Sequence, residues 1–193
     1  MEPFIDFHRR SRRLTGHDYL ATGWYFVTIC TFDRKEIFGE INRGRMYLNE
    51  LGECVQTIWN ELPQYYFGIR IDEYSIMPNH IHGIVWIGAP VGAGLCACPI
   101  NQIDPSIYPN GQPQGVAPTG TMRISLPNVV HRFKSFTSTI YRKMHQKTKL
   151  WQRNYHERII WRETELWAVR QYIRDNPKNW EQDAHHPCRI TSS

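Results

Sequence analysis

His80 and His82 stand one residue apart in Ser75-Ile-Met-Pro-Asn-His-Ile-His-Gly-Ile-Val-Trp-Ile87, a run whose other residues read as a buried β-strand. Successive strand side chains point to opposite faces, so both imidazoles share one face while Ile81 turns to the other. Imidazole is the commonest side-chain metal ligand and, when neutral, a proton acceptor. The pair therefore offers half of a divalent-metal site, although such a spacing alone is more often structural. Two imidazoles facing an apolar core would be hard to satisfy, which favours a sheet face left open for a site.

A metal held there needs a third ligand, and phosphoryl chemistry needs a nucleophile. Tyr172 and Asn176 lie four residues apart in a segment of helical periodicity, on one face of the helix. A phenol attacks phosphorus well once a metal offsets the charge on the non-bridging oxygens. The carboxamide oxygen of Asn176 is a hard ligand suited to Mg²⁺ or Mn²⁺. The competing reading is that Tyr172 packs and Asn176 caps the helix before Pro177.

The elements that would carry these residues follow from periodicity. Trp24–Thr31 is dense in aromatic and β-branched residues and reads as a strand. Ile37–Ile41 and Met46–Leu48 flank a turn at Asn42–Arg45, an early hairpin. Asn49 caps a helix to about Tyr66, with Leu51, Val55, Ile58 and Leu62 inward and Pro63 ending or kinking it. Ile69–Ile76 is a strand that turns at Met77-Pro-Asn79 into the histidine strand, about 80–87. A second helix runs from Leu126 or Pro127 to Gln146, and Leu150–Ile160 has the alternation of a further strand. The last helix spans Glu163–Asp175, with Leu166, Val169, Tyr172 and Ile173 at helical spacing and Pro177 stopping it. With the hairpin set aside, the order strand, helix, strand, strand, helix, strand, helix predicts an α+β fold. It is the ferredoxin-like split βαβ sandwich with an antiparallel sheet and an extra C-terminal helix carrying the tyrosine. Residues 1–22 read as a basic arm, 23–180 as the catalytic domain, 88–122 as a Gly/Pro-rich inserted loop and 181–193 as a tail.

Among the 193 residues, 23 are basic and 18 acidic, a net charge of +5 that fits a nucleic-acid partner. Arg9, Arg10, Arg12 and Arg13 cluster in the arm, while Arg132, Lys134, Arg142, Lys143, Lys147, Lys149 and Arg153 crowd one stretch. That stretch suits a phosphate backbone or a solvated helix face. Five scattered cysteines argue against a disulfide framework, and Cys96 and Cys98 read as free thiols. Neither a membrane-length apolar run nor a signal-peptide h-region is present, so a cytoplasmic protein is expected.

Met77-Pro-Asn-His-Ile-His82 resembles the His-hydrophobic-His (HUH) signature of single-tyrosine transposases. Gly23–Thr31, Leu150–Ile160 and Gln171-Tyr-Ile-Arg-Asp-Asn-Pro177 are similar to blocks of the REP-associated branch, in the same order over about residues 20–180. The resemblance implies that His80 and His82 bind the metal, that Tyr172 is the nucleophile and that Asn176 is a third ligand. It further implies a Mg²⁺- or Mn²⁺-dependent enzyme that cuts single-stranded DNA beside a hairpin, forms a 5′-phosphotyrosine link and leaves a 3′-OH. Tyr155 is the rival nucleophile. Many members carry a Glu-His pair near 156–158; this chain has His156-Glu157-Arg158, so no family role transfers to Arg158. Under this reading Arg9, Arg10, Arg12 and Arg13 enter a groove, while Arg132, Lys134, Arg142, Lys143, Lys149 and Arg153 follow the DNA backbone. Trp151 and Trp161 are candidates for base stacking, with core packing expected first for each. Relatives act as monomers or as dimers exchanging tyrosine helices, and the short connection here favours a monomer. Two other functions remain compatible: a domesticated, inactive hairpin-binding protein, and a phosphodiesterase that hydrolyses through activated water.

Overall fold

Alternation along the central strand β1 (Gly23–Cys30) sets the architecture, because its odd and even side chains feed two different cores. The computed structural model describes residues 22–66, 68–88, 124–146 and 149–187. The basic arm with Arg9, Arg10, Arg12 and Arg13, the inserted loop, Lys147 and Cys96, Cys98 and Cys188 lie outside the described residues. After β1 come the hairpin β2 (Gly39–Asn42) and β3 (Arg45–Leu48), α1 (Glu50–Tyr65), β4 (Ile69–Met77) and β5 (His80–Ile87). Then follow α2 (Leu126–His145), β6 (His156–Ile160), α3 (Glu163–Asp175) and a closing 3₁₀ helix (Asn176–Gln182). The main sheet has the order β4-β5-β1-β6, every neighbour antiparallel. This is the split βαβ arrangement the element order predicts, with the early hairpin beside it.

Tyr25, Val27 and Ile29 of β1 join Ile81, Val85 and Ile87 of β5 under α1 and α2. Gly83 sits on this face because Trp59 occupies its side-chain space: a Cβ there would fall 2.4 Å from the indole Cζ2. Gly83→Ala is expected to cost about 1–3 kcal/mol through overpacking, read as a lower urea midpoint; an unchanged midpoint would mean that Trp59 can move aside.

Phe26 and Ile84 face the other way, and there they meet Ile160 and the α3 stripe Leu166, Val169 and Ile173. This face is therefore not the open one expected from the sequence. An uncovered sheet would leave that stripe in water, and burying each such side chain is worth about 1.5–3 kcal/mol. A bulge in β4 between Ile71 and Tyr74 carries Asp72 and Glu73. Asp72 receives a two-point ion pair from Arg170 (2.8 and 2.5 Å), and Glu73 accepts from Arg174 at 2.8 Å. The Arg170 hydrogen bonds hold the Asp72 carboxyl below its usual range. The tyrosine helix thus docks on its own sheet.

Three local expectations change. Asn49 caps α1 as expected, its side chain accepting from Gly52 N at 2.9 Å, but the helix runs two residues past Pro63 to Tyr65. In the last turn the proline removes just its own donor, and Leu62 before it is fully buried. Pro177 ends α3 but starts the 3₁₀ helix, where its fixed φ suits a first turn. The strand expected from Leu150 is limited to His156–Ile160. Lys134 Nζ donates to the carbonyls of Gln152 (3.0 Å), Arg153 (3.4 Å) and Asn154 (3.0 Å), which turns that backbone away from a ladder. Burial pushes the Lys134 ammonium down to about 8, with the charge interaction with Cys30 opposing. The folded chain then sheds this proton before the unfolded chain does, so stability rises between about pH 8 and the usual lysine value of 10.5. Lys134→Met is expected to flatten that rise in thermal melts; an identical pH slope in both proteins would contradict it.

Candidate active site

Pro78 and Asn79 form the turn that delivers β5, and three backbone donors pin it. Ile37 N and Phe38 N donate to Pro78 O at 2.8 and 3.1 Å, and Thr31 N donates to Asn79 O at 2.9 Å. His80 follows directly, opposite Cys30, and His82 lies opposite Thr28. Both imidazoles point to the α3 face and are buried.

The hydrogen bonds decide how the rings are presented. Asn79 Nδ2 donates to Arg34 O (3.1 Å) and His185 O (2.8 Å), which leaves Asn79 Oδ1 as the acceptor 2.8 Å from His80 Nδ1. His80 Nδ1 must carry the proton, so Nε2 presents its lone pair inward. His82 Nδ1 lies 2.8 Å from Thr28 Oγ1, and Nε2 lies 3.3 Å from the Tyr172 hydroxyl. The His82 ring also stacks on Phe26, 5.3 Å between centroids. Each histidine is thus held by its outer nitrogen.

Tyr172 reaches His82 from α3, and Asn176 follows one turn later with its side chain buried. The 3₁₀ helix then brings back Asp183, whose Oδ2 lies 4.0 Å from His80 Nε2 and accepts from Asn176 Nδ2 at 3.1 Å. Its Oδ1 accepts from His185 N at 2.6 Å. Ligand atoms of His80, His82 and Asp183 all lie within 4.8 Å of one another. Ligands about 2.1 Å from a small octahedral cation stand roughly 3–4 Å apart, so this group needs only a slight contraction to hold one. The buried Asn176 Oδ1 makes no hydrogen bond among the described residues and supplies a further hard donor. Two imidazoles with carboxylate and amide oxygens could hold a divalent metal ion.

Burial first, then the Asp183 charge, pushes the Tyr172 hydroxyl well above the ordinary phenol range, with an Asn176 hydrogen bond opposing. The phenol is therefore protonated at neutral pH. Burial also pushes the Cys30 thiol, 3.6 Å from His185 Nδ1, up to about 11. A groove of about 450 Å³ lined by Trp167, Ala168, Tyr172, Asn176, Asn179 and Asp183 gives solvent access to the site.

The structure thus brings His80, His82, Tyr172 and Asn176 together within one chain. Tyr155 is elsewhere, packed against the α1/α2 core with the Lys134 ammonium 5.5 Å over its ring. Asp183 was not foreseen: it falls in the stretch read as a tail. The signal was Asp183-Ala-His-His186, three potential ligands in four residues without periodicity to place them. His156 is half-buried with its ring 6.4 Å from that of His185. Trp151 is buried and donates from Nε1 to Thr137 Oγ1 at 2.8 Å, whereas Trp161, expected to pack, is exposed.

The basic stretch divides. Arg132 stacks over the rings of Tyr65 (4.4 Å) and Phe136 (4.9 Å), and Lys134 is bonded inward as described. Arg142, Lys143, Lys149 and Arg153 are exposed. Lys149 Nζ lies 4.8 Å over Phe32, just past the end of β1. No helix among the described residues is long and apolar enough to cross a membrane.

No protein-family profile matches this chain. An uncharacterized protein of Haemophilus influenzae is 38% identical over 176 residues, which cover 91% of this chain and 92% of that protein. Among solved structures, a REP-associated tyrosine transposase bound to a REP hairpin superposes with a TM-score of 0.53. That match has 13% identity and covers 85% of this chain and 72% of the transposase, a likeness of fold.

Proposed function

We propose that this chain, which belongs to the family of the uncharacterized Haemophilus influenzae protein and has a transposase-like fold, is a metal-dependent single-stranded DNA endonuclease and strand transferase acting beside hairpins. The observation that carries this reading is the 3.3 Å approach of the Tyr172 hydroxyl to His82 Nε2. It puts a nucleophile against a group able to hold a divalent ion. The proposed ligands are His80 Nε2, His82 Nε2, an oxygen of Asp183 and Asn176 Oδ1.

A bound Mg²⁺ or Mn²⁺ ion would polarise the scissile phosphate and offset charge on its non-bridging oxygens. The chain's residues do the rest. Asn79 and Thr28 orient the two imidazoles, and the ion pairs of Arg170 and Arg174 hold α3 in place. The Asp183 charge and burial keep the Tyr172 hydroxyl protonated at rest. In the reaction, Tyr172 Oη gives up its proton to water in the groove and forms a bond to phosphorus. The bond from phosphorus to the 3′-oxygen breaks, and that oxygen takes up a proton as a free 3′-OH. The product is a 5′-phosphotyrosine, reversible by attack of a 3′-OH. The REP hairpin bound by the transposase of similar fold supports a hairpin with single-stranded flanks as the DNA. Of the basic residues, Arg142, Lys143, Lys149 and Arg153, all exposed, are proposed to meet backbone phosphates, and Arg9, Arg10, Arg12 and Arg13 to enter a groove. The helix docked in cis supports activity as a monomer.

Incubating the full chain with hairpin DNA carrying mixed-sequence flanks and Mn²⁺ tests the reading. A covalent protein–DNA adduct is expected. Cleavage without an adduct would point to hydrolysis by activated water, and binding without cleavage to an inactive hairpin-binding protein.

A further inference from the structure

Trp167 is 66% exposed, although an indole is the largest apolar side chain and α3 has room to bury others. Among the described residues no hydrogen bond or ring contact engages it. It differs from the other exposed large hydrophobic residues, Tyr47 and Trp161, in lining the groove that opens onto Tyr172. Trp167 and Tyr172 are five positions apart, about 7.5 Å of axial rise, and both line this groove.

The remaining wall fits the same class of ligand. Ala168 leaves space beside the indole, and Gln171, Asn179 and Gln182 line the groove with amides. Of the acids there, Asp175 is paired with Lys178 at 3.1 Å, and Asp183 belongs to the candidate metal group beside Tyr172. Around Trp167 the wall is the indole, Ala168 and the Gln171 amide, a surface that suits a flat, neutral ring with donors and acceptors on its edge. A nucleobase has that chemistry. Phosphate contacts would fall to the exposed cations elsewhere.

We infer that Trp167 is a stacking platform for an unpaired nucleobase next to the phosphate that Tyr172 attacks. The inference rests on the strand-transfer reading above and adds a specificity-determining contact to it. Stacking would hold the flank extended along α3 and present the adjoining phosphate to Tyr172 Oη. Because the indole is exposed, its substitution leaves the fold intact, which thermal melts of each variant verify.

The test uses the full chain with Mn²⁺ and a DNA hairpin whose single-stranded flank is either oligothymidine or the same length of abasic residues. Trp167→Ala is expected to weaken binding of the base-bearing hairpin roughly tenfold, to change binding of the abasic one by less than about twofold, and Trp167→Phe to recover most of the loss. Equal affinities of Trp167→Ala and wild type for the base-bearing hairpin would overturn the inference. So would an equal loss on both flanks, which would mean that the indole meets the sugar–phosphate chain or the hairpin stem rather than a flank base. Adduct formation by the wild type reports separately on the strand-transfer reading. An adduct with no base-dependent effect of Trp167 overturns stacking alone, whereas no binding of either hairpin by the wild type overturns both.

Discussion

Tyr172→Phe is expected to abolish the covalent protein–DNA adduct while leaving the fold and the metal site in place. The substitution removes one oxygen. The ring keeps its edge contact with Phe26, 6.1 Å between centroids, and its 5.3 Å approach to His82. What is lost is the group that bonds to phosphorus, and no neighbour can substitute for it: Cys30 is held as a thiol, and Tyr155 lies in the other core. Loss of a covalent nucleophile costs at least about 10⁴-fold in turnover, so adduct on a 3′-labelled strand should fall below detection. Mn²⁺ binding should stay within about threefold or tighten, because the phenol and the ion use the same His82 lone pair. An adduct that survived in Tyr172→Phe would assign the nucleophile to another residue.

Removing either imidazole should be as damaging, by a different route. His80→Ala and His82→Ala each take away a nitrogen whose ring is oriented through its other nitrogen by Asn79 or Thr28. Outer partners of this kind are worth about 10–100-fold in metal affinity, and the ligands themselves are expected to be worth more. Isothermal titration with Mn²⁺ should show binding in the wild type and none measurable in either variant. Thermal melts give a second readout, since ion at about 100 times its Kd stabilises the wild type by roughly 2.7 kcal/mol, a gain both variants should lack. Asp183→Asn should weaken binding by about tenfold or more, and Asn176→Ala by less, because an ionised carboxylate is the stronger of the two oxygen donors. If Asp183→Asn bound Mn²⁺ like the wild type, the carboxylate would be a strut for Asn176 and His185 rather than a ligand.

Those parts of the site that depend on local periodicity were legible in the sequence. A period of two put His80 and His82 on one face, and the 3.6-residue period put Tyr172 and Asn176 on one side of α3. The resemblance to single-tyrosine transposases joined them, and the fold then brings them within contact. Asp183 was hidden because the chain after Pro177 winds as a 3₁₀ helix, with no apolar repeat to show that it turns back over the sheet. Residues 150–155 deceived for a related reason. Their bulky alternation imitates a strand, but a lysine ammonium from α2 collects their carbonyls, and nothing local announces that. The helix-covered face follows from Leu166, Val169 and Ile173, a stripe visible in the sequence whose partner surface was assigned to an open site.

Peptide mapping of the wild-type adduct tests the central claim most directly. Hairpin DNA with Mn²⁺ is allowed to react, the DNA is trimmed with nuclease, and the protein is digested with trypsin. The nucleotide mass is expected on the peptide from Gln171 to Arg174, fragmenting at Tyr172. Nucleotide on the peptide from Asn154 to Arg158, which holds Tyr155, would contradict it, as would cleaved DNA with no modified peptide at all.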